Sequence, residues 1–213
     1  MSASLILLSG GLDSVANLAF ESQKKANLKC LFFDYGQKAA EQEKKAALFF
    51  AHRYSAPLIK LNLDFFTRFT SSALTDCEQA LPKNEMSESS AKQVWVPNRN
   101  GVFLNLAAAL AENEGFNQIW VGLNQEEAQT FPDNSELFLN QINGSLKVST
   151  KAGVQVASHT VHLTKKQIVE KLMKIDPKFP FESLWSCYDR GPRPCESCES
   201  CLRLTRAIDA SSG

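Results

Sequence analysis

Ser9-Gly10-Gly11-Leu12-Asp13-Ser14, entered from the apolar run Leu5-Ile6-Leu7-Leu8, is the stretch on which the fold turns. Four consecutive apolar residues are the pattern of a strand buried on both faces, as in a parallel sheet. Beyond it, Val15, Leu18 and Ala19 recur at helical spacing, so the stretch is a strand-to-helix turn. Two adjacent glycines let the backbone turn tightly and approach a ligand with no Cβ in the way. The amides heading the new helix, at the positive end of its dipole, form an anion site. Ser9 and Ser14 add hydroxyls, and Asp13 is suited to hold a magnesium ion against phosphate oxygens. Phosphate is the ligand this predicts.

The flanking sequence extends the pattern. Cys30-Leu31-Phe32-Phe33 reads as a second strand ending in Asp34-Tyr35-Gly36-Gln37, and residues 58–63 as a third. Between them, residues 38–54 form a helix whose apolar face is read as the alanines with Leu48, Phe49 and Phe50, with the charges of Glu41, Glu43, Lys44 and Lys45 outside. Strand and helix in alternation predict an α/β fold with a doubly wound, mostly parallel, Rossmann-like sheet. Ligands of such sheets lie beyond the carboxyl ends of the strands, where Ser9–Ser14 falls.

The remainder is less regular. Residues 64–69 suggest a short helix, and the polar residues 71–90 a long surface loop. After Val94-Trp95-Val96-Pro97-Asn98-Arg99-Asn100, a helix over 101–112 is expected to bury Val102, Leu106, Ala109 and Leu110. A strand follows at 118–123, then a carboxylate-rich loop at 124–134, a helix from Ser135 and a strand at 154–163. Thr164-Lys165-Lys166-Gln167 spells a capping box, with Ile168, Leu172 and Ile175 on the buried face. Arg99, just ahead of a helix, is placed as an oxyanion clamp, and Lys165 or Lys166 as a lysine reaching phosphate. His52, His159 and His162 occur singly, without a fitting partner, and are assigned no chemistry.

The chain has 213 residues, one domain's worth, with 23 Lys plus Arg against 23 Asp plus Glu. Zero net charge lacks the basic footprint of a nucleic-acid binder, so no direct nucleic-acid partner is expected. No apolar run reaches membrane-spanning length, and no charged n-region precedes an h-region, so a cytoplasmic protein without membrane contact is expected.

Four of the six cysteines, Cys187, Cys195, Cys198 and Cys201, crowd into a C-x7-C-x2-C-x2-C pattern. Such spacing brings thiolates within about 4 Å of one another and fills all four corners of a tetrahedral zinc site, leaving no open position for water. Zinc there is structural and staples the tail to the body. An iron–sulfur cluster, which also takes four thiolates, is the competing reading.

The loop is not G-x-x-x-x-G-K-[ST], since no lysine follows the glycines. It resembles the PP-loop of ATP pyrophosphatases, of the adenine-nucleotide alpha hydrolase type. With Phe33-Asp34-Tyr35-Gly36-Gln37, Val96-Pro97-Asn98-Arg99-Asn100, Pro132-Asp133 and the cysteine tail running into Leu202-Arg203, the whole chain resembles the 7-cyano-7-deazaguanine synthase family of queuosine biosynthesis. The resemblance implies a PP-loop domain over 1–180 and a zinc-binding segment over 181–213. It implies an AMP-forming carbon–nitrogen ligase, commonly homodimeric, that uses ATP with Mg2+. The carboxylate of 7-carboxy-7-deazaguanine is adenylated, ammonia gives the amide, and a second activation dehydrates it to the nitrile. Leu8, Ser9, Gly10, Gly11, Leu12, Asp13 and Ser14 then bind ATP. Asp13, Ser14, Arg99 and Lys165 are the catalytic residues. Arg99, Phe131 and Asp133 hold the deazapurine.

Two departures stand out. Where the family carries Cys-Arg after Pro-Asp, this chain has Asn134-Ser135, and Glu196 replaces the glycine common in the knuckle. They keep two alternatives in view: a sister enzyme that joins a similar carboxylate to another amine, a protein acceptor included, and a non-catalytic zinc-ribbon module.

Overall fold

In the computed structural model, β1 (Ala3–Leu7) runs into the glycine turn and α1 (Leu12–Ser22) runs out of it. The structure describes residues 3–24, 27–84 and 87–211. β2 (Asn27–Asp34), α2 (Ala40–Arg53), β3 (Leu58–Asn62) and α3 (Phe66–Phe69) follow. Next come α4 (Glu88–Val94), α5 (Arg99–Glu114), β4 (Gln118–Trp120), α6 (Gln125–Ala128), α7 (Glu136–Ser149) and β5 (Gln155–Ala157). α8 (Lys165–Ile175) and α9 (Glu199–Asp209) close the chain.

The five strands are all parallel, in the order β3-β2-β1-β4-β5. The expected doubly wound sheet is therefore present. Strand side chains alternate between two apolar layers. Leu5, Leu7, Leu31, Phe33 and Ile119 meet Leu104, Ala107 and Leu139 of α5 and α7 on one face. Ile6, Cys30 and Phe32 meet Val15, Phe50 and Ile168 of α1, α2 and α8 on the other. Burial on both faces is why β1 and β2 are nearly continuous apolar runs.

Several expectations need correction. On α2, Leu48 and Phe49 are 49% and 44% exposed, and the buried face is Ala46, Ala47, Phe50 and Ala51. Alanines face inward because α2 lies hard against the glycine turn. On α5, Leu106 is exposed, as is Ala109, and Leu104, Ala107, Ala108 and Ala111 face the sheet. Ile175 is also exposed. The strands expected at 118–123 and 154–163 pair over three residues each. The loop expected over 71–90 gives way at Glu88 to α4, capped by Ser87 and Ser90. Within it Ser72, Ala73 and Leu74 are buried, while Glu85 and Met86 lie outside the described residues, as do 1–2 and 212–213 of the expected segments. His159 does have a partner: Nε2 lies 2.6 Å from buried Glu21 Oε1, and the ring stacks on Trp120. His162 lies 3.6 Å from Glu136.

Candidate functional site

From β1 the chain winds outward through β2 to β3, then returns to place β4 on β1's other side. That reversal opens a crevice at the carboxyl ends of β1 and β4. Gly10 has φ +87°, and a Cβ there would lie 2.6 Å from Ala46 Cβ of α2. Across the crevice, a Cβ on Gly122 would meet the Ser14 amide nitrogen at 2.5 Å. Only glycines let α2 and the segment after β4 close on the loop. Ser14 Oγ donates to Gly11 O at 3.0 Å and accepts from the Ser9 amide at 3.2 Å, so the turn is braced from within. The first amides of α1 have no preceding helical carbonyl to bond, and remain for a ligand.

Two connected hollows of about 210 Å³ and 190 Å³ occupy the crevice. Ser9, Ser14, Glu43, Arg99, Asn100 and Gly122 border both. The first lobe is mainly polar and extends to Trp95, Phe131, Asp133, Ser186 and Tyr188. The second is walled by Leu7, Leu8, Leu31, Phe33, Tyr35 and Phe103. Of the loop, Ser9, Gly11, Asp13 and Ser14 line the first lobe, whereas Gly10 and Leu12 line neither.

Lys165, the first residue of α8, is buried, and its Nζ lies 2.9 Å from both Asp13 Oδ2 and Glu127 Oε1. Burial works against its charge, but the two carboxylates more than offset this and hold its pKa above the ordinary lysine value. Asn124 Nδ2 donates to Asp13 Oδ2 at 3.0 Å. Burial raises the Asp13 pKa, while its Oδ1 is buried without a hydrogen-bond partner among the described residues. An orphaned carboxylate oxygen at the head of an anion-binding helix fits a hard divalent cation bridging to phosphate.

Arg99 opens α5, donating from Nη1 to the Tyr35 hydroxyl at 3.2 Å and from Nε to Asn100 Oδ1 at 3.3 Å. Its guanidinium lies over the Tyr35 and Phe103 rings. Asp133 accepts from Asn134 Nδ2 at 3.2 Å, and burial raises its pKa although Arg99 works the other way. The Phe131 and Trp95 rings are nearly parallel, 4° apart with centroids 6.0 Å from each other. Thus Asp13, Ser14, Arg99, Lys165, Phe131 and Asp133 all border one hollow, from four separate parts of the chain.

The four cysteines also converge, their Sγ atoms all within 4.8 Å of one another. Cys198 Sγ is hydrogen-bonded by the thiols of Cys187 and Cys201, which holds its pKa well below the ordinary thiol value. Backbone amides of Asp189 and Cys195 point at Cys187 Sγ, and that of Cys198 at Cys195 Sγ. Four sulfurs so arranged, with amides directed at them, fit a tetrahedral metal. Glu196, the departure in the knuckle, has φ +57°, a left-handed conformation that explains why glycine suits the position.

A profile for the queuosine biosynthesis protein QueC matches residues 3–211. The chain belongs to the QueC family. A 7-cyano-7-deazaguanine synthase of Pelotomaculum thermopropionicum is 48% identical over 212 residues, covering 96% of this chain and 95% of that protein. One from Bdellovibrio bacteriovorus is 43% identical, covering 98% and 93%. One from Methanosarcina mazei is 37% identical, covering 96% and 92%. Among solved structures, a 4-thiouridine synthetase–RNA complex with bound ATP superposes with a TM-score of 0.50 at 17% identity, over 99% of this chain and 51% of the other. That likeness is one of fold. Among the described residues, no helix is long and apolar enough to cross a membrane.

The QueC-type site holds more than the sequence motifs singled out. Glu127 and Asn124 belong to the loop over 124–134, where carboxylates and amides are too many for the sequence to single out two. Glu43, expected on the outer face with Glu41, Lys44 and Lys45, lies in the first turn of α2 and borders the crevice; no spacing separates it from its solvated neighbours. Ser186 and Tyr188 enter only because the cysteine knuckle folds the tail over the crevice. Arg203 closes a further polar chain, 2.5 Å from Glu199 Oε1 and 3.8 Å from Glu126 Oε2.

Proposed function

We propose that this chain is an ATP-dependent carbon–nitrogen ligase that converts 7-carboxy-7-deazaguanine and ammonia into 7-cyano-7-deazaguanine through the amide. The observation that carries the reading is the match, over nearly the whole of both chains, to relatives named 7-cyano-7-deazaguanine synthase. A crevice with an anion-binding helix head, Arg99 and Lys165 supports it.

In this reading the helix-head amides, Ser9 and Ser14 bind the β,γ-pyrophosphate of ATP. The apolar second lobe takes the adenosine. The deazapurine lies in the first lobe, stacked on Phe131 with its guanine-like edge donating to Asp133. Its carboxylate attacks the α-phosphorus and pyrophosphate leaves. Arg99 offsets charge developing on the α-phosphate, and Lys165 holds Asp13 in place. Asp13 would hold a magnesium ion, which would supply further charge neutralisation on the phosphates. Ammonia attacks the acyl adenylate and AMP leaves. In the second round the amide oxygen is adenylated, and loss of AMP gives the nitrile. Cys187, Cys195, Cys198 and Cys201 hold a structural zinc. Residues 1–180 and 181–213 act as catalytic body and zinc-bound cover, in a homodimer.

Incubation with ATP, Mg2+, the acid and ammonium, followed by mass spectrometry, tests the proposal. Nitrile, with AMP and pyrophosphate as nucleotide products, is expected. ADP would overturn the PP-loop chemistry, and an amide end product or an adduct to another amine would identify the sister enzyme instead. No feature of the comparisons favours that sister enzyme or a non-catalytic module.

A further inference from the structure

We propose that Glu43 is the base that takes the proton from the attacking nitrogen in carbon–nitrogen bond formation. This rests on the adenylation reading above and adds a residue that neither the motifs nor the relatives' names assign.

Four carboxylates border the crevice: Asp13, Glu43, Glu127 and Asp133. Lys165 Nζ occupies one oxygen of Asp13 and one of Glu127 at 2.9 Å each, and both carboxylates border only the first lobe. Asp133 borders only the first lobe. Glu43 alone of the four borders both, and it has no cation within ion-pair distance among the described residues.

Its geometry suits a base. Glu43 Oε2 accepts from Gln37 Nε2 at 2.8 Å, and Oε1 has no hydrogen-bond partner among the described residues. Gln37 is fixed in turn, donating to Phe33 O at 3.1 Å and accepting from the Tyr35 amide at 2.9 Å. One carboxylate oxygen is thus anchored to the end of β2 while the other is left for a reacting group. The charged or titratable groups facing Glu43 are Arg99 of α5 and Asp34 and Tyr35 at the end of β2. Burial raises the Glu43 pKa to about 7, with Gln37 and Arg99 working against the rise. A base poised near neutrality has the best combination of free oxygen and proton affinity at working pH.

Position completes the case. With nucleotide in one lobe and acid in the other, the α-phosphate and the acyl carbon meet at the shared border. Arg99 and Glu43 both stand there, one suited to the anion that develops and the other to the proton that leaves. In the first round the ammonia nitrogen bonds to the acyl carbon, its proton passes to Glu43, and the C–O bond breaks with its electron pair on AMP. In the second, the nitrogen of the adenylated amide loses one proton to water and one to Glu43. Its freed electron pair completes the C≡N bond as AMP departs.

The test separates adenylation from amide formation. ATP–pyrophosphate exchange with the acid reads the first, and single-turnover amide formation with ammonium reads the second. In Glu43→Gln, amide formation should fall about 10²–10⁴-fold relative to exchange, and the acid limb near pH 7 should vanish from its pH profile. Glu43→Ala should recover part of the lost rate with added formate. An equal fall in exchange and amide formation would overturn the proposal in favour of a structural role, as would amide formation kept within a few-fold. No exchange in the wild type would overturn the adenylation reading itself, and this proposal with it.

Discussion

Lys165 Nζ lies 2.9 Å from Asp13 Oδ2, tying the first turn of α8 to the first turn of α1 across 152 residues of chain. The same ammonium holds Glu127 at 2.9 Å, so one buried cation serves two carboxylates. Removing it leaves buried charge uncompensated, which costs about 3–5 kcal/mol. Lys165→Met should therefore lower the urea midpoint sharply, and adding Glu127→Gln should restore part of the loss. A double variant no more stable than the single would show that the triad is not the source of the effect.

The cysteine knuckle reaches the loop directly, since the Trp185 amide donates to Gly10 O at 3.0 Å. Ser186 and Tyr188 then wall the first lobe. Elemental analysis should find one zinc per chain, without the visible absorption of an iron–sulfur cluster. Structural zinc contributes on the order of 10 kcal/mol in small zinc peptides, so Cys198→Ser should be unstable or insoluble. Metal-free protein with full ATP–pyrophosphate exchange would refute the structural role.

The parts of this architecture legible in the sequence are those where one local pattern has one physical solution. An apolar tetrad before Ser9-Gly10-Gly11 has to be a buried strand before a turn, and the four clustered cysteines do bring their sulfurs within 4.8 Å of one another. Helix faces were harder to place. Leu48 and Phe49 are larger than Ala46 and Ala47, yet the alanines face inward because a bulky residue cannot approach Gly10. α4 leaves little trace in the sequence because its cap is Ser87 with Ser90, a serine in place of the usual Glu or Gln. Glu43 and Glu127 acquire their character from burial and partners contributed by distant segments, which no spacing in the chain encodes.

Gly122 gives a steric prediction. A Cβ there would sit 2.5 Å from Ser14 N and 2.7 Å from Asp13 C, both backbone atoms that cannot swing away. Overpacking of this kind costs about 1–3 kcal/mol. Gly122→Ala should fold with reduced stability and weaken ATP binding far more than acid binding, because the displaced atoms are those of the anion site. Calorimetric titration with a non-hydrolysable ATP analogue checks this, and unchanged affinity would mean that β4 moves away in place of the loop.

Asp133 is where substrate recognition is most exposed to test. Asp133→Ala removes a charged acceptor from buried ring donors, a loss of about 2–4 kcal/mol. The KM for the acid in the exchange assay should rise accordingly, while that for ATP should change little. An equal rise in both would place Asp133 outside the deazapurine subsite.

Glu43 makes a prediction about stability that is independent of catalysis. Its pKa rises on folding from 4.5 to about 7, chiefly through burial, so between those values the folded chain holds more protons than the unfolded one. Stability rises with pH only where the unfolded state binds more protons, so here the Glu43 contribution must fall as pH climbs from about 4.5 to 7. Above that window the buried carboxylate is ionised and its burial opposes folding; below it the neutral acid does not. Glu43→Gln, neutral throughout, lacks this dependence. Melting curves at pH 5 and pH 8 should therefore show the variant gaining on the wild type at the higher pH. Other carboxylates titrate in the same range, but they are common to both proteins and cancel in the difference. Parallel pH dependences for the two proteins would mean that the Glu43 carboxyl titrates as an exposed one does, and would remove the physical basis for its role as a base near neutral pH.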